Sequence, residues 1–165
     1  MTSFLPAPPL ITSDWLNAPP NFGLAALRGR VVVMEAFQML CPGCVRHGLP
    51  LAQQVVQSFD PNEVAVIGLH TVFEHHAAQG TRVALEAFAH EYRLTFPIGM
   101  DAPDPAGPIP QTMQAYAMQG TPTLVLIDRL GKLRMQHFGQ MEEMKLGAII
   151  MSLVLEGITS PADSI

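Results

Sequence analysis

The chain has almost no cysteine: two in 165 residues, Cys41 and Cys44. A fold stapled by disulfides needs more cysteines, closing longer loops, so the pair reads as chemistry and not as scaffold. Charge is also scarce, with 14% Asp, Glu, Lys and Arg and a formal net charge of -5. No run of Lys or Arg occurs, which excludes a phosphate-tracking nucleic-acid surface. No apolar stretch approaches the ~20 residues that span a bilayer, so no membrane partner is expected. The start, MTSFLPAPPLITSDWLN, lacks a Lys or Arg ahead of an apolar run, and its prolines break any helical core of a signal peptide. The resulting expectation is a cytoplasmic protein.

What the chain does have is core material. Apolar residues make up 48% of it, and its length suits a single domain. Residues 1–22 hold Pro6, Pro8, Pro9, Pro19 and Pro20 and read as an extended arm, with one short strand around Ser13–Leu16. Val31–Phe37 is a continuous apolar run rich in β-branched residues, as in a strand buried on both faces. After the cysteines, Val45–Ser58 has helical spacing with Pro50 as a kink, and Glu63–Leu69 is a second buried strand. Thr71–Gly80 reads as a polar loop. Thr81 caps a helix over Arg82–Arg93, and Phe96–Met100 is a short strand. Asp101–Pro110 is a proline-rich loop, followed by a short helix over Ile109–Met118. Thr123–Ile127 and Leu133–Phe138 form a hairpin around Asp128-Arg129-Leu130-Gly131, with Gly131 at positive φ. A last helix covers Met141–Leu155 with Met144, Ile149, Met151 and Leu155 facing inward, and Gly157 stops it. Residues 157–165 read as a flexible tail. Alternating strands and helices predict an α/β sheet with parallel strands, closed by an antiparallel edge.

Cys41 and Cys44 follow the first buried strand at a strand-to-helix junction. The unpaired N–H groups of a helix start favour negative charge there and depress the pKa of a thiol. Cys44 lies one turn later and can reach back to Cys41. Pro42 suits the first helical position, because its missing N–H has no helical partner. The expected cycle is attack by Cys41 on a disulfide, then resolution by Cys44. Glu35, on the strand, is positioned to accept the Cys44 proton if its side chain turns to the buried side of the dithiol. The competing reading makes Glu35 a structural acid paired with a lysine or hydroxyl.

These features resemble thioredoxins, and among them the TlpA-type redoxins. The resemblance rests on strand-CxxC-helix over Val31–Ser58, on Gly120-Thr121-Pro122-Thr123 ahead of an apolar strand, on Phe96-Pro97-Ile98-Gly99-Met100-Asp101, and on the lead-in Leu24–Val33. It covers roughly residues 20–155. It implies a thioredoxin fold over residues 23–156, with a central mixed sheet, helices on both faces, an N-terminal extension and a βα insertion. It further implies a thiol–disulfide oxidoreductase whose only cofactor is the dithiol itself. The expected partners are protein or small-molecule disulfides and a redox partner that recycles the dithiol. By resemblance Pro122 is cis beside the dithiol, and the Thr121 backbone pairs with a substrate peptide, with Leu40 and Pro42 on the same surface. The competing reading of Pro122 is an ordinary trans loop proline.

The chain departs from the pattern at three places. Leu40 replaces the aromatic residue usual before the first cysteine. Pro50 comes one residue late, which predicts a local helix irregularity. The Pro42-Gly43 order is the reverse of thioredoxin's, so no redox potential carries over. Two other functions compete. A copper-binding chaperone would use Cys41, Cys44 and a distant His, with His47, His70, His75 and His76 as candidates. A thiol-dependent peroxidase would need a hydroxyl three residues before Cys41, where Gln38 stands.

Overall fold

A computed structural model describes residues 3–156. The expected helix stop at Gly157 and the tail at 157–165 lie outside the described residues. The elements run β1 (Thr12–Leu16), β2 (Val31–Phe37), α1 (Leu49–Ser58), β3 (Val64–His70), α2 (His76–Gln79), α3 (Arg82–Glu91), β4 (Ile98–Asp101), α4 (Gln111–Ala115), β5 (Thr123–Ile127), β6 (Leu133–Phe138) and α5 (Glu143–Glu156). A 3-10 turn, Leu24–Leu27, precedes β2, and a π-helical turn, Cys44–Gly48, leads into α1.

The strands form one mixed sheet in the order β1-β4-β3-β2-β5-β6. β2 pairs in parallel with β3, and β3 with β4; β1, β5 and β6 join antiparallel. Every residue of β2 and of β3 is buried, which explains why both read as continuous apolar runs. Alternation along β2 divides the core in two. Val31, Val33 and Phe37 join Leu49, Ala52, Leu85, Leu146 and Ile150 on the face covered by α1, α3 and α5. Val32, Met34 and Ala36 join Trp15, Leu27, Met113 and Tyr116 on the face covered by the 3-10 turn and α4. The fold is the α/β arrangement expected, with helices on both sides of a mixed sheet.

The proline-bearing N-terminal segment is extended and lies against this second face. Tyr116 donates its hydroxyl to the Pro8 carbonyl at 2.7 Å, and Ile11 and Thr112 bond reciprocally. β1 then adds an edge strand, with Trp15 and Leu16 buried. In the β5–β6 turn Gly131 has φ +78°, and the Asp128 carboxylate accepts from the Leu130 and Lys132 amides at 3.0 and 2.9 Å.

Three expectations change. Thr71–Gly80 is not simply a polar loop: it contains α2, and its Gln79 is buried. A polar helix of four residues carries no periodicity for a sequence to show. The helix after the dithiol opens with a π turn in place of a simple kink. On α5, Met144, Met151 and Leu155 are exposed and Ile149 only partly buried, while Leu146, Ile150, Leu153 and Val154 form the core stripe. α5 is apolar on nearly every side, so composition fits several helical faces and tertiary packing selects one.

This phase is testable by equilibrium denaturation. Leu146→Ala is expected to lower stability by about 2–5 kcal/mol, and Met144→Lys to stay within about 0.5 kcal/mol of wild type.

Candidate active site

The dithiol sits where β2 ends. Cys41 and Cys44 are joined as a disulfide with their Cα atoms 5.2 Å apart. Cys41 precedes the helix, and its carbonyl accepts from the Cys44 and Val45 amides, both at 3.1 Å. Pro42 therefore occupies the first helical position, where its missing N–H goes unused. Cys44 is fully buried, whereas Cys41 is partly exposed and Pro42 and Leu40 are exposed. This asymmetry assigns Cys41 to the surface and Cys44 to the interior. The Cys44 N–H points at Cys41 Sγ across 3.2 Å, a donor ready for a thiolate once the disulfide opens.

The helix irregularity has a definite form. The Leu49 N–H donates to the Cys44 carbonyl, five residues back, and makes the wide turn Cys44–Gly48. Pro50 falls at the junction of the π turn and regular α1. The late proline is thus absorbed by one π turn.

Gly48, on that turn, lets the backbone come close to two other site residues. A Cβ at Gly48 would lie 2.2 Å from Glu35 Oε1 and 3.1 Å from Pro122 Cβ. A Cβ at Gly43 would lie 3.3 Å from Pro122 Cδ. The Thr121–Pro122 peptide is cis, and the Pro122 ring is wedged against both glycines of the dithiol helix. The Thr121 carbonyl oxygen lies 3.6 Å from Cys41 Sγ. Glu35, Gly48, Pro122, Thr121 and the two cysteines are therefore one packed cluster.

Glu35 is 1% exposed, and its Oε1 has no hydrogen-bond partner among the described residues. Burial pushes its carboxyl well above the ordinary value of 4.5. No lysine or hydroxyl bonds to it among the described residues, so the structural-acid reading lacks its partner. His70 ends β3 on the same face and packs on Phe37, ring centres 5.3 Å apart. Burial lowers its pKa to about 4, so it is neutral at neutral pH. His47, His75 and His76 are exposed, and among the described residues no three His, Cys, Asp or Glu side chains converge as a ligand set.

Two residues of the site carry no recognisable sequence signal. Gln38 and Gln79 are each 1% exposed. Gln79 Nε2 donates to Gln38 Oε1 at 3.1 Å, and Gln38 Nε2 donates to Thr121 Oγ1 at 3.3 Å. The Leu40 amide donates to Gln79 Oε1 at 3.0 Å. A glutamine at a strand end and another in a polar segment are unremarkable until the fold brings them together.

Residues 15–136 match the model of the AhpC/TSA family. The chain belongs to that family. Among solved structures, a crystal structure of a thioredoxin-like superfamily protein is 55% identical, with a TM-score of 0.88 over 92% of this chain and 97% of that one. A thiol-disulfide isomerase from Corynebacterium glutamicum is 45% identical, with a TM-score of 0.85 over 90% of this chain and 96% of that one. The thiol-disulfide oxidoreductase ResA of Geobacillus thermodenitrificans is 26% identical over 128 residues, 78% of this chain and 64% of that protein. The chain thus matches less than two thirds of the length of this curated relative. Together these place it as a thioredoxin-like redoxin.

Two tests probe the cluster. Gly48→Ala should lower stability by about 1–3 kcal/mol in urea unfolding, because the new methyl group must displace Glu35 or Pro122. Glu35→Gln should change how the stability of the oxidised protein depends on pH. A carboxyl whose folded pKa is raised holds its proton in the native state after the unfolded chain has released its own. Wild type therefore loses stability as pH rises from about 4.5 toward the raised value, and the variant does not. A wild-type-minus-variant stability difference that is flat above pH 4.5 would contradict the burial of an ionisable group at Glu35.

Proposed function

We propose that the protein is a thiol–disulfide oxidoreductase that works through Cys41 and Cys44. The observation that carries this reading is the asymmetric pair: a partly exposed sulfur at a helix start, bonded to a fully buried one. The relatives named for thiol–disulfide chemistry support it.

In the reduced protein the Cys41 thiolate attacks one sulfur of a substrate disulfide. A Cys41–substrate disulfide forms, and the first substrate thiolate leaves and takes a proton from water. Cys44 gives its proton to the Glu35 carboxylate, directly or through water, and attacks Cys41 Sγ. The second substrate thiolate leaves, the Cys41–Cys44 disulfide closes, and two electrons have passed to the substrate. Run backwards, a substrate dithiol opens the disulfide and Glu35 protonates the departing Cys44. A carboxyl whose pKa is raised by burial is suited to that donation. The direction of net flow follows from the potential of the pair against that of its partners.

Substrate would meet the exposed rim of Leu40 and Pro42, with the Thr121 backbone pairing to an extended peptide beside cis-Pro122. Protein or small-molecule disulfides are the substrates, and a second redox protein or thiol returns the pair to its starting state. The dithiol is the only cofactor required. A cytoplasmic setting accords with a reducing role.

The reading is tested by turnover of a disulfide substrate and by redox titration. Wild type should turn over the substrate and titrate as a reversible two-electron couple, and Cys41→Ser should abolish both. Cys44→Ser should trap the mixed disulfide, and Glu35→Gln should slow resolution roughly tenfold or more, as loss of a proton carrier does. Hydroperoxide consumption that survives Cys44→Ser would point instead to peroxidase chemistry.

A further inference from the structure

Gln38 and Gln79 form a buried amide pair that connects three separate segments. Gln38 directly follows β2, three residues before Cys41, and Gln79 ends α2. Gln38 Oε1 accepts from the Phe73 amide at 3.3 Å and from Gln79 Nε2 at 3.1 Å. Its Nε2 reaches the Thr121 hydroxyl at 3.3 Å. Gln79 also donates to the Glu74 carbonyl at 2.8 Å, and its own oxygen takes the Leu40 amide at 3.0 Å. Both side-chain amides thus use their donor and acceptor ends. A network satisfied in this way is rigid, and each group left without a partner in so buried a place is costly.

Its ends meet the two walls of the dithiol groove. At one end the Leu40 backbone is fixed, which leaves an exposed leucine, 56% accessible, standing directly before Cys41. At the other end the Thr121 side chain is fixed, and the Thr121 carbonyl faces Cys41 Sγ at 3.6 Å. Among the described residues neither glutamine side chain hydrogen-bonds to a sulfur atom. Segment 71–80, which the sequence presents only as a polar connection, therefore carries part of the reactive site's framework.

We propose that Gln79, acting through Gln38, is a positioning residue for disulfide exchange: it holds the Leu40 and Thr121 walls at the separation a peptide disulfide needs. This rests on the oxidoreductase reading above. Its consequence is selective. A substrate that must lie between both walls depends on the pair, while a small electrophile that meets only Cys41 does not.

The experiment is a double-mutant cycle on the reduced full-length protein. Gln79→Met keeps the length and bulk of the side chain and removes its three side-chain hydrogen bonds. Thr121→Val keeps shape and removes the hydroxyl. The readouts are the second-order rate constant with a peptide homodisulfide, the alkylation rate of Cys41 by iodoacetamide across pH, and hydrogen exchange at the Leu40 amide. Gln79→Met should lose roughly tenfold in the peptide rate, keep its alkylation profile within about twofold, and exchange faster at Leu40. The double variant should lose no more than the larger single loss, because both substitutions cut the same chain of bonds. Additive losses, or equal losses toward peptide and iodoacetamide, would overturn the proposal. A wild type that fails to reduce the peptide sinks the oxidoreductase reading itself, whereas an active wild type with an insensitive Gln79→Met sinks only this inference.

Discussion

The site depends on one close approach: the backbone of Gly48 against the carboxyl of Glu35 and the ring of Pro122. A side chain at Gly48 has no room there, since its first atom would fall 2.2 Å from Glu35 Oε1. The approach seals the carboxyl from water and so raises its pKa. It also seats the cis proline against the dithiol helix, which places the Thr121 carbonyl beside Cys41. Acid strength, groove shape and helix position are thus set by a single packing constraint and not by separate devices.

The same face of the sheet carries two buried ionisable groups with opposite tendencies. Glu35 keeps a proton that an exposed carboxyl would lose, and His70 refuses one that an exposed imidazole would accept at mildly acidic pH. Desolvation pushes both toward the uncharged form. The charge that matters during exchange is then the one that forms on sulfur. The donor that meets it is the Cys44 backbone N–H at the helix start, 3.2 Å from Cys41 Sγ.

Much of this was legible in the sequence, because local signals carry it. The continuous apolar runs gave the buried strands, and Cys41-Pro42-Gly43-Cys44 after the first of them gave the dithiol. The offset of Pro50 announced an irregular helix. What stayed illegible depends on contacts between distant segments. Gln38 and Gln79 lie 41 positions apart, and Gln38 and Thr121 83 apart, so no local pattern marks them as partners. The inward face of α5 failed for a different reason. Met144, Met151 and Leu155 make as good a helical stripe as Leu146, Ile150 and Leu153, and only the shape of the sheet chooses between them.

The wide turn at Cys44–Gly48 also bears on how such a chain changes length. One additional residue in a regular α-helix rotates everything beyond it by about 100°. Leu49, Ala52 and Val55 would then leave the core, or the cysteines would leave the groove. A single five-residue hydrogen bond, Leu49 to Cys44, takes up the extra residue in place. The reactive end and the packing end of the helix are in this way geared separately. Residues on the exposed side of the turn, Arg46 and His47, stand where the chain can gain or lose a position while both ends keep their register.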